Sequence, residues 1–486
     1  MAKTQLSGGI AQLGERQLCK LDVRGSSPLT STIDLNEAAA TAAFLVEGPS
    51  SFGSCAKLSG EPVPCGRDGY DTDYLLVKLT VLLKRCPVNA LRSAYCRIYQ
   101  GVLRAALPFL PYRDPQVLGS VEDAARMLRE RGMRRPLIVT DKGLHALGLV
   151  DGLKAALATE GVDFLVFDEV VPNPTIANVE AARYLYLKEG CDCLIAFGGG
   201  SSMDCAKATG ARIARPNKPI PKMRGILKVL KKTPLLVAVP TTAGTGSETT
   251  LAAVITDGET HYKYPINDFP LIPSYAVLDW RVTTGLPGSI TATTGMDALV
   301  HATEAYIGRS TTKETRACAV EAVSLIRRYL KLAFDEPSNQ EARQAMLHAA
   351  NRAGLAFSKS YVGYVHGVAH SLGGQYGIPH GLANAVICPY VLEMYGSACH
   401  KRLGELARLS GVAPQGSSDD EASRIFIQWF RQLNASMGIP DKLEGIDEAD
   451  IASMAAKADV ESNPLYPVPV LMDARELQEI YRAVMA

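Results

Sequence analysis

The sequence predicts an α/β N-terminal domain built on a doubly wound parallel sheet, followed by an all-α C-terminal domain. Three observations lead there. From about residue 119, short apolar runs of strand length alternate with helical segments. Two of these runs open into glycine-rich turns. Beyond about Pro287 the strand pattern stops, and Ala-rich helical periodicity continues to Ala486.

Taken in order, residues 1–70 are expected to be a poorly structured extension. The stretch SGGIAQLGERQLCKLDVRGSSPLTST has neither helical nor strand periodicity, and its basic and acidic residues are interleaved, unlike a targeting peptide. A loose tail, or translation from a start placed too far upstream, accounts for it better. Residues 71–114 turn apolar with helical spacing, and Pro87 divides them into two candidate helices that could cap the core or form an oligomer contact. Residues 115–285 form the α/β domain. Helix VEDAARMLRERG leads to strand PLIVT, and GLHALGLVDGLKAALATEG reads as one helix. Strand DFLVFDEV, helix TIANVEAARYLYLKEG, strand CDCLIAFGGG and strand KTPLLVAVPTT follow. Residues 286–486 form the helical domain. There is no internal repeat.

The chain of 486 residues, 47% hydrophobic and 21% charged, has the balance of a water-soluble globular protein. A formal charge of +1 gives no electrostatic reason to expect nucleic acid or an anionic membrane as a partner. The most apolar stretch, YLLVKLTVLLKRCP, is short and interrupted by Lys78 and Lys84, so no bilayer span is expected. Eleven cysteines are scattered without a CxxC, which with the absence of a secretory segment points to a reducing cytoplasm.

Four of the eight histidines fall within about eighty residues, as Asp297-x-x-x-His301 followed by His366, His370 and His380. GMDALVHATEAYIG should be helical, so Asp297 and His301, four apart, can offer an oxygen and a nitrogen to one point. His366 and His370 in YVHGVAHSLGG repeat that spacing. Pro379 restarts a helix with His380 at its beginning. One carboxylate with imidazoles suits Zn(II) or Fe(II) and suits Mg(II) or Ca(II) poorly. Spacing alone allows either His366 or His370 as a ligand. His145, His261, His348 and His400 have no such partners and read as ordinary residues.

LIAFGGGSSMDCAKATG is an apolar strand running into Gly198, Gly199 and Gly200 and then a helix, an arrangement whose exposed N–H groups attract a pyrophosphate. Ser201 and Ser202 are placed to cap that helix, with Asp204 in its first turn. It is not the GxGxxG fingerprint. A second strand opens into the Thr/Gly/Ser loop of VAVPTTAGTGSETT, and both turns would border the crevice where parallel sheets bind ligands. Asp141, directly after strand PLIVT, could accept from an adenosine ribose and repel a 2′-phosphate; equally, it could cap a helix beginning in TDKG.

GGGSSMDCAK, PTTAGTGSE, the DALVHATEAY helix and VHGVAHSLGGQYGIPHGLANAV, in this order, closely resemble the iron-dependent (group III) alcohol dehydrogenase family, from roughly residue 115 to the end. The resemblance implies a nucleotide-binding domain, a helical domain and a divalent metal in the cleft between them, usually Fe(II), with Zn(II) acceptable to the same ligands. By similarity Asp297, His301, His366 and His380 hold the metal. His370 then stands near the nicotinamide as part of a proton relay. Gly198, Gly199, Gly200 and Ser201 cradle the pyrophosphate, while Thr241, Thr242 and Gly244 flank the cofactor. Lys263, in HYKYP, matches a lysine near the nicotinamide ribose, and Asp141 matches the position where an acid favours NAD(H) over NADP(H). The first 110 residues have no counterpart in compact members. Diol-specific relatives carry a polar residue around Ala252, so a less polar pocket is expected here.

The resemblance therefore implies a metal-dependent oxidoreductase that interconverts a small primary alcohol and its aldehyde by hydride transfer with NAD(H). The alternative is a metal-dependent lyase of the same architecture, similar to dehydroquinate synthase. Apolar helices outside the core suggest a homo-oligomer, a dimer or larger.

Overall fold

The computed structural model describes residues 90–259 and 263–486. The expectations for residues 1–70, for the first of the two candidate helices and for His261 lie outside the described residues. The chain enters through helix α1 (Ala90–Ala106) and then builds a six-stranded sheet. Its strands are β1 (Gln116–Leu118), β2 (Pro136–Val139), β3 (Leu165–Phe167), β4 (Cys193–Gly198), β6 (Leu235–Pro240) and β9 (Tyr275–Val277). They lie in the order β1-β9-β6-β4-β2-β3, and every pairing is parallel.

Alternate residues of the central strands feed two separate cores, as a sheet covered on both faces requires. Leu137, Val139, Leu194, Ala196, Leu236 and Ala238 join one, with Val179, Ala182 and Tyr186 of α5 (Ile176–Lys188) and Met203 and Ala206 of α6 (Gly200–Ala214). Ile138, Ile195, Phe197, Val237 and Val239 join the other, with Ala124 and Leu128 of α2 (Val121–Glu130) and Leu153 and Leu157 of α4 (Asp151–Thr159). Because β3 lies outside β2 while β4 returns on its other side, the strand order reverses between β2 and β4. Asp141 and Gly198–Gly200 follow those two strands directly, at the switch point where such sheets bind ligands.

The local reading needs three corrections. GLHALGLVDGLKAALATEG is two helices, α3 (Lys142–Ala146) and α4, because Gly148 turns left-handed at φ 71 and ends the first. Ser201 and Ser202 do not cap α6: its N-cap is Gly199, with no side-chain cap bond, so both serines lie inside the helix. Asp204 likewise sits beyond the first turn. A small sheet escaped notice altogether: β5 (Gly225–Ile226), β7 (Ala252–Thr256) and β8 (Lys263–Asn267) in the order β5-β8-β7.

From Gly288 onward the regular elements are helices. α7 (Gly288–Ile307) is buried continuously from Gly295 to Ile307 and packs against α8 (Lys313–Asp335), α9 (Gln340–Ser360) and α11 (His380–Tyr395). The remaining helices are α10 (Tyr364–Tyr376), α12 (Ser397–Leu409), α13 (Asp419–Ser436), α14 (Glu448–Ser462) and α15 (Ala474–Val484). None is long and apolar enough to cross a membrane.

Glycines let the α/β and helical parts meet. Gly246 adopts φ 58, and a Cβ placed there would stand 2.6 Å from the Cα of Gly354 on α9. Gly246→Ala should therefore destabilise the folded protein by about 1–3 kcal/mol, read as a lower thermal midpoint than wild type; an unchanged midpoint would contradict this close approach.

Candidate metal and nucleotide site

Three neighbouring helices bring the candidate ligands together. α7 carries Asp297 and His301, α10 carries His366, and α11 begins with His380, its N-cap being Pro379. One ligand atom from each of Asp297, His301, His366 and His380 can be chosen so that all four lie within 4.8 Å of one another. Asp297, His301 and His366 are buried, whereas the His380 side chain remains 41% exposed. His370 is not in the set. Its ring stacks on His380 at 5.2 Å between centroids and stands 6.0 Å from His366, so it adjoins the four donors without joining them.

The tautomers follow from the outer partners. His366 Nδ1–H donates to Glu304 Oε2 at 2.6 Å, which leaves Nε2 as the acceptor, 4.0 Å from Asp297 Oδ1. Glu304 Oε1 also accepts from the Val365 backbone at 2.9 Å. Nδ1 of His301 is buried without a hydrogen-bond partner. A set of one carboxylate and three imidazoles with an orphaned ring nitrogen is the chemistry a divalent cation would satisfy. Asn384, one turn along α11 from His380, lies at the centre: Nδ2 is 2.7 Å from Asp297 Oδ1, 3.0 Å from His380 Nε2 and 3.2 Å from His366 Nε2. Three acceptors thus aim at one place.

Burial keeps these rings neutral. It lowers the pKa of His301, and it drives His366 well below the usual range with help from the neighbouring His301, His380 and His370. His380 is pushed down to about 4 by burial, which the Asp297 carboxylate only partly opposes. His370 behaves differently. Burial would lower it, but the Glu461 carboxylate, 2.6 Å from Nδ1, outweighs that and raises it.

Glu304, Asn384 and Glu461 were missed in the sequence. Glu304 had a signal, since positions 297, 301 and 304 share one helical face, as do 380 and 384. Glu461 lies 91 residues from His370 and had none.

On the nucleotide side, Gly198 adopts φ 147, and a Cβ there would collide with Ser202 Oγ at 2.4 Å. The turn passes into α6 with no side-chain cap, so the first N–H groups of that helix are left for an anion. The second loop joins the first where Thr241 N donates to Gly198 O at 3.1 Å, and Thr242 Oγ1 would lie 3.5 Å from a Cβ at Gly199. Gly244 packs directly on Thr294 of α7, the helix that carries Asp297 and His301, which ties this loop to the candidate ligands. Lys207 is buried and binds Ser247 O, Ser247 Oγ, Thr250 Oγ1 and Ala252 O, fastening α6 to the same loop. Asp204, rather than serving the α6 dipole, accepts from Val254 N and Ser247 Oγ. Asp141 caps α3 through Leu144 N at 3.0 Å. Lys263 opens β8 and donates to Asn173 Oδ1 at 2.8 Å; burial lowers its pKa against the pull of Asp204 and Glu461.

Residues 116–280 match the model for the iron-containing alcohol dehydrogenase, and residues 291–485 match that for the C-terminal part of the same family. The chain belongs to the iron-containing alcohol dehydrogenase family. It is 38% identical to the 1,3-propanediol dehydrogenase of Citrobacter freundii over 380 residues, 77% of this chain and 97% of that protein. With the NAD-dependent methanol dehydrogenase of Bacillus methanolicus it shares 37% over 362 residues, 73% of this chain and 95% of the other. The crystal structure of a 1,3-propanediol oxidoreductase superposes with a TM-score of 0.74 at 35% identity, covering 77% of this chain and 99% of that one. This alcohol dehydrogenase interconverts an alcohol and its aldehyde, and the lyase reading is not favoured.

Two outcomes follow from the geometry. Metal-free wild type should lose more stability than His380→Gln as the pH falls from about 6.5 toward 4, because across that window the unfolded chain takes up a proton that His380 in the folded chain refuses. Thermal midpoints measured across that range check the sign. Glu304→Gln should weaken metal binding by roughly 10- to 100-fold, by loss of the carboxylate that orients His366, with NADH binding retained; chelator competition measures it.

Proposed function

We propose that this alcohol dehydrogenase holds Fe(II) through Asp297, His301, His366 and His380, and uses NAD(H) to interconvert a short primary alcohol and its aldehyde. The observation that carries this reading is the convergence of four donor atoms within 4.8 Å beside a loop continuous with the glycine turns. The same ligands accept Zn(II), and metal availability decides between the two ions. When bound, the ion supplies Lewis-acid polarisation of the substrate oxygen.

The protein's own groups do the rest. Gly198, Gly199, Gly200 and Ser201 receive the pyrophosphate, with Thr241, Thr242 and Gly244 along its edge. Asp141 accepts from the ribose hydroxyls and repels a 2′-phosphate, which favours NAD(H) over NADP(H). Lys263 stands at the nicotinamide end of the cleft, where Asp204 and Glu461 act on it. His370 keeps 41% of its side chain open to that cleft and is backed by Glu461, so it can pass a proton between substrate and water. A short substrate is supported by relatives named for 1,3-propanediol and methanol.

Six cysteines among the described residues, Cys191, Cys193, Cys205, Cys318, Cys388 and Cys399, are free thiols, which supports a cytoplasmic home. Exposed Leu91, Ile98 and Val102 on α1 support a homo-oligomer. The division at residues 115–285 and 286–486 is proposed as the domain boundary: β9 ends at Val277 and α7 starts at Gly288.

The test is spectroscopic. With Fe(II) restored anaerobically, absorbance at the NADH band should fall when a short aldehyde is added, and NADPH should serve less well. His366→Ala should lose metal and about a hundredfold or more in activity while still binding NADH. Full activity in a metal-free variant would refute the assignment.

A further inference from the structure

Helix α1 lies ahead of both segments that match the family models, 116–280 and 291–485. Its buried face is mixed: Arg92 and Gln100 are buried beside Cys96 and Tyr99, while Leu91, Ile98 and Val102 face solvent. Its polar residues have a definite target. Arg92 pairs with Asp459 of α14 at 2.5 Å, both side chains almost wholly buried. Arg97 donates to Val468 O at 2.7 Å and to Pro469 O at 3.0 Å. Gln100 Nε2 donates to Pro464 O at 3.1 Å and to Tyr466 O at 2.8 Å, its own oxygen held by Arg97.

Residues 463–473, between α14 and α15, are turns and irregular backbone, so their carbonyls need donors from elsewhere. α1 supplies them at four positions. The same stretch reaches the cleft. The Tyr466 hydroxyl donates to Glu461 Oε1 at 2.8 Å, and that oxygen faces His370 Nδ1 at 2.6 Å. Tyr466 therefore links the two ends: Gln100 holds its carbonyl, and its hydroxyl reaches the Glu461 oxygen that faces His370.

We propose that α1 is a brace for the reaction cleft, with Gln100 and Arg97 as positioning residues. They fix the 464–469 stretch so that Tyr466 holds Glu461 against His370, and the His370 ring keeps its place beside His380. The proposal rests on the reading of His370 as a residue of the reaction site. It assigns to a segment outside the family match a part in catalysis beyond covering the core.

The experiment uses the full chain, metal-loaded. Gln100→Glu keeps the size and the acceptor for Arg97 but removes the donor to the two carbonyls; Arg97→Ala, at a half-buried position, provides a second variant should the first fail to fold. Each should lower kcat for aldehyde reduction roughly tenfold, short of the 10²–10⁴ that a whole proton-transfer group contributes, with KM for NADH unchanged. Deuterium uptake at the backbone of 461–469 should quicken. Tyr466→Phe should lower kcat similarly, and the Gln100→Glu/Tyr466→Phe pair should fall little further, since both act through Tyr466. Unchanged kcat, or losses that multiply in the pair, would overturn the positioning role. Unchanged exchange together with an impaired His370→Asn would overturn the brace alone. Full turnover in His370→Asn would overturn the reading of the cleft, and the positioning role with it.

Discussion

A carboxylate and three imidazole lone pairs have been gathered in one place, three of the four groups buried and only His380 partly open to solvent, and the rest of the molecule is arranged around that constraint. Buried acceptors aimed at one another are unfavourable unless a donor or a cation stands between them. Here the Asn384 amide reaches three of them and His301 Nδ1 is left without a partner, so the packing is complete only with a positive centre. This is why α7 can be buried from Gly295 to Ile307 while carrying Asp297, His301 and Glu304. A helix enclosed on all sides tolerates such residues only when each is answered by a neighbour from another helix.

The cofactor half obeys a different rule. There the requirement is close backbone approach, met by glycine at the ends of β4 and β6 rather than by paired charges. The two halves join through the β6 loop: Gly244 lies against Thr294, Gly246 against Gly354, and Lys207 locks the following residues to α6. Bulk at either glycine would push apart the surfaces that must share a substrate. Geometry, more than charge, thus couples metal to nucleotide.

Around the four donors a second ring of carboxylates sets the character of the histidines. Glu304 fixes the tautomer of His366, and burial, only partly offset by the backbone N–H groups that bond it, raises its own pKa to about 7. Glu461 does the opposite for His370, holding it toward the protonated form, while His380 beside it stays neutral. Adjacent rings are thereby pushed toward opposite protonation states, a separation produced by environment alone.

Much of this could be read from the chain. The long central strands are legible as continuous apolar runs, and the helices of residues 288–486 and the pairings of Asp297 with His301 and of His366 with His370 are consequences of the 3.6 period within single elements. Strands of two or three residues such as β1, β5 and β9 are too short for any period to register, and the β7–β8 hairpin has no two-residue turn to announce it. Gly148 was visible as a residue, but whether it would turn left-handed was not. What only the tertiary structure decided is which face meets which: Glu304 with His366 across 62 residues, Glu461 with His370 across 91, and Gln100 with Tyr466 across 366. Spacing reports how side chains are disposed around their own axis. The partner each one finds is set by how whole helices pack, and that information is spread over the entire core.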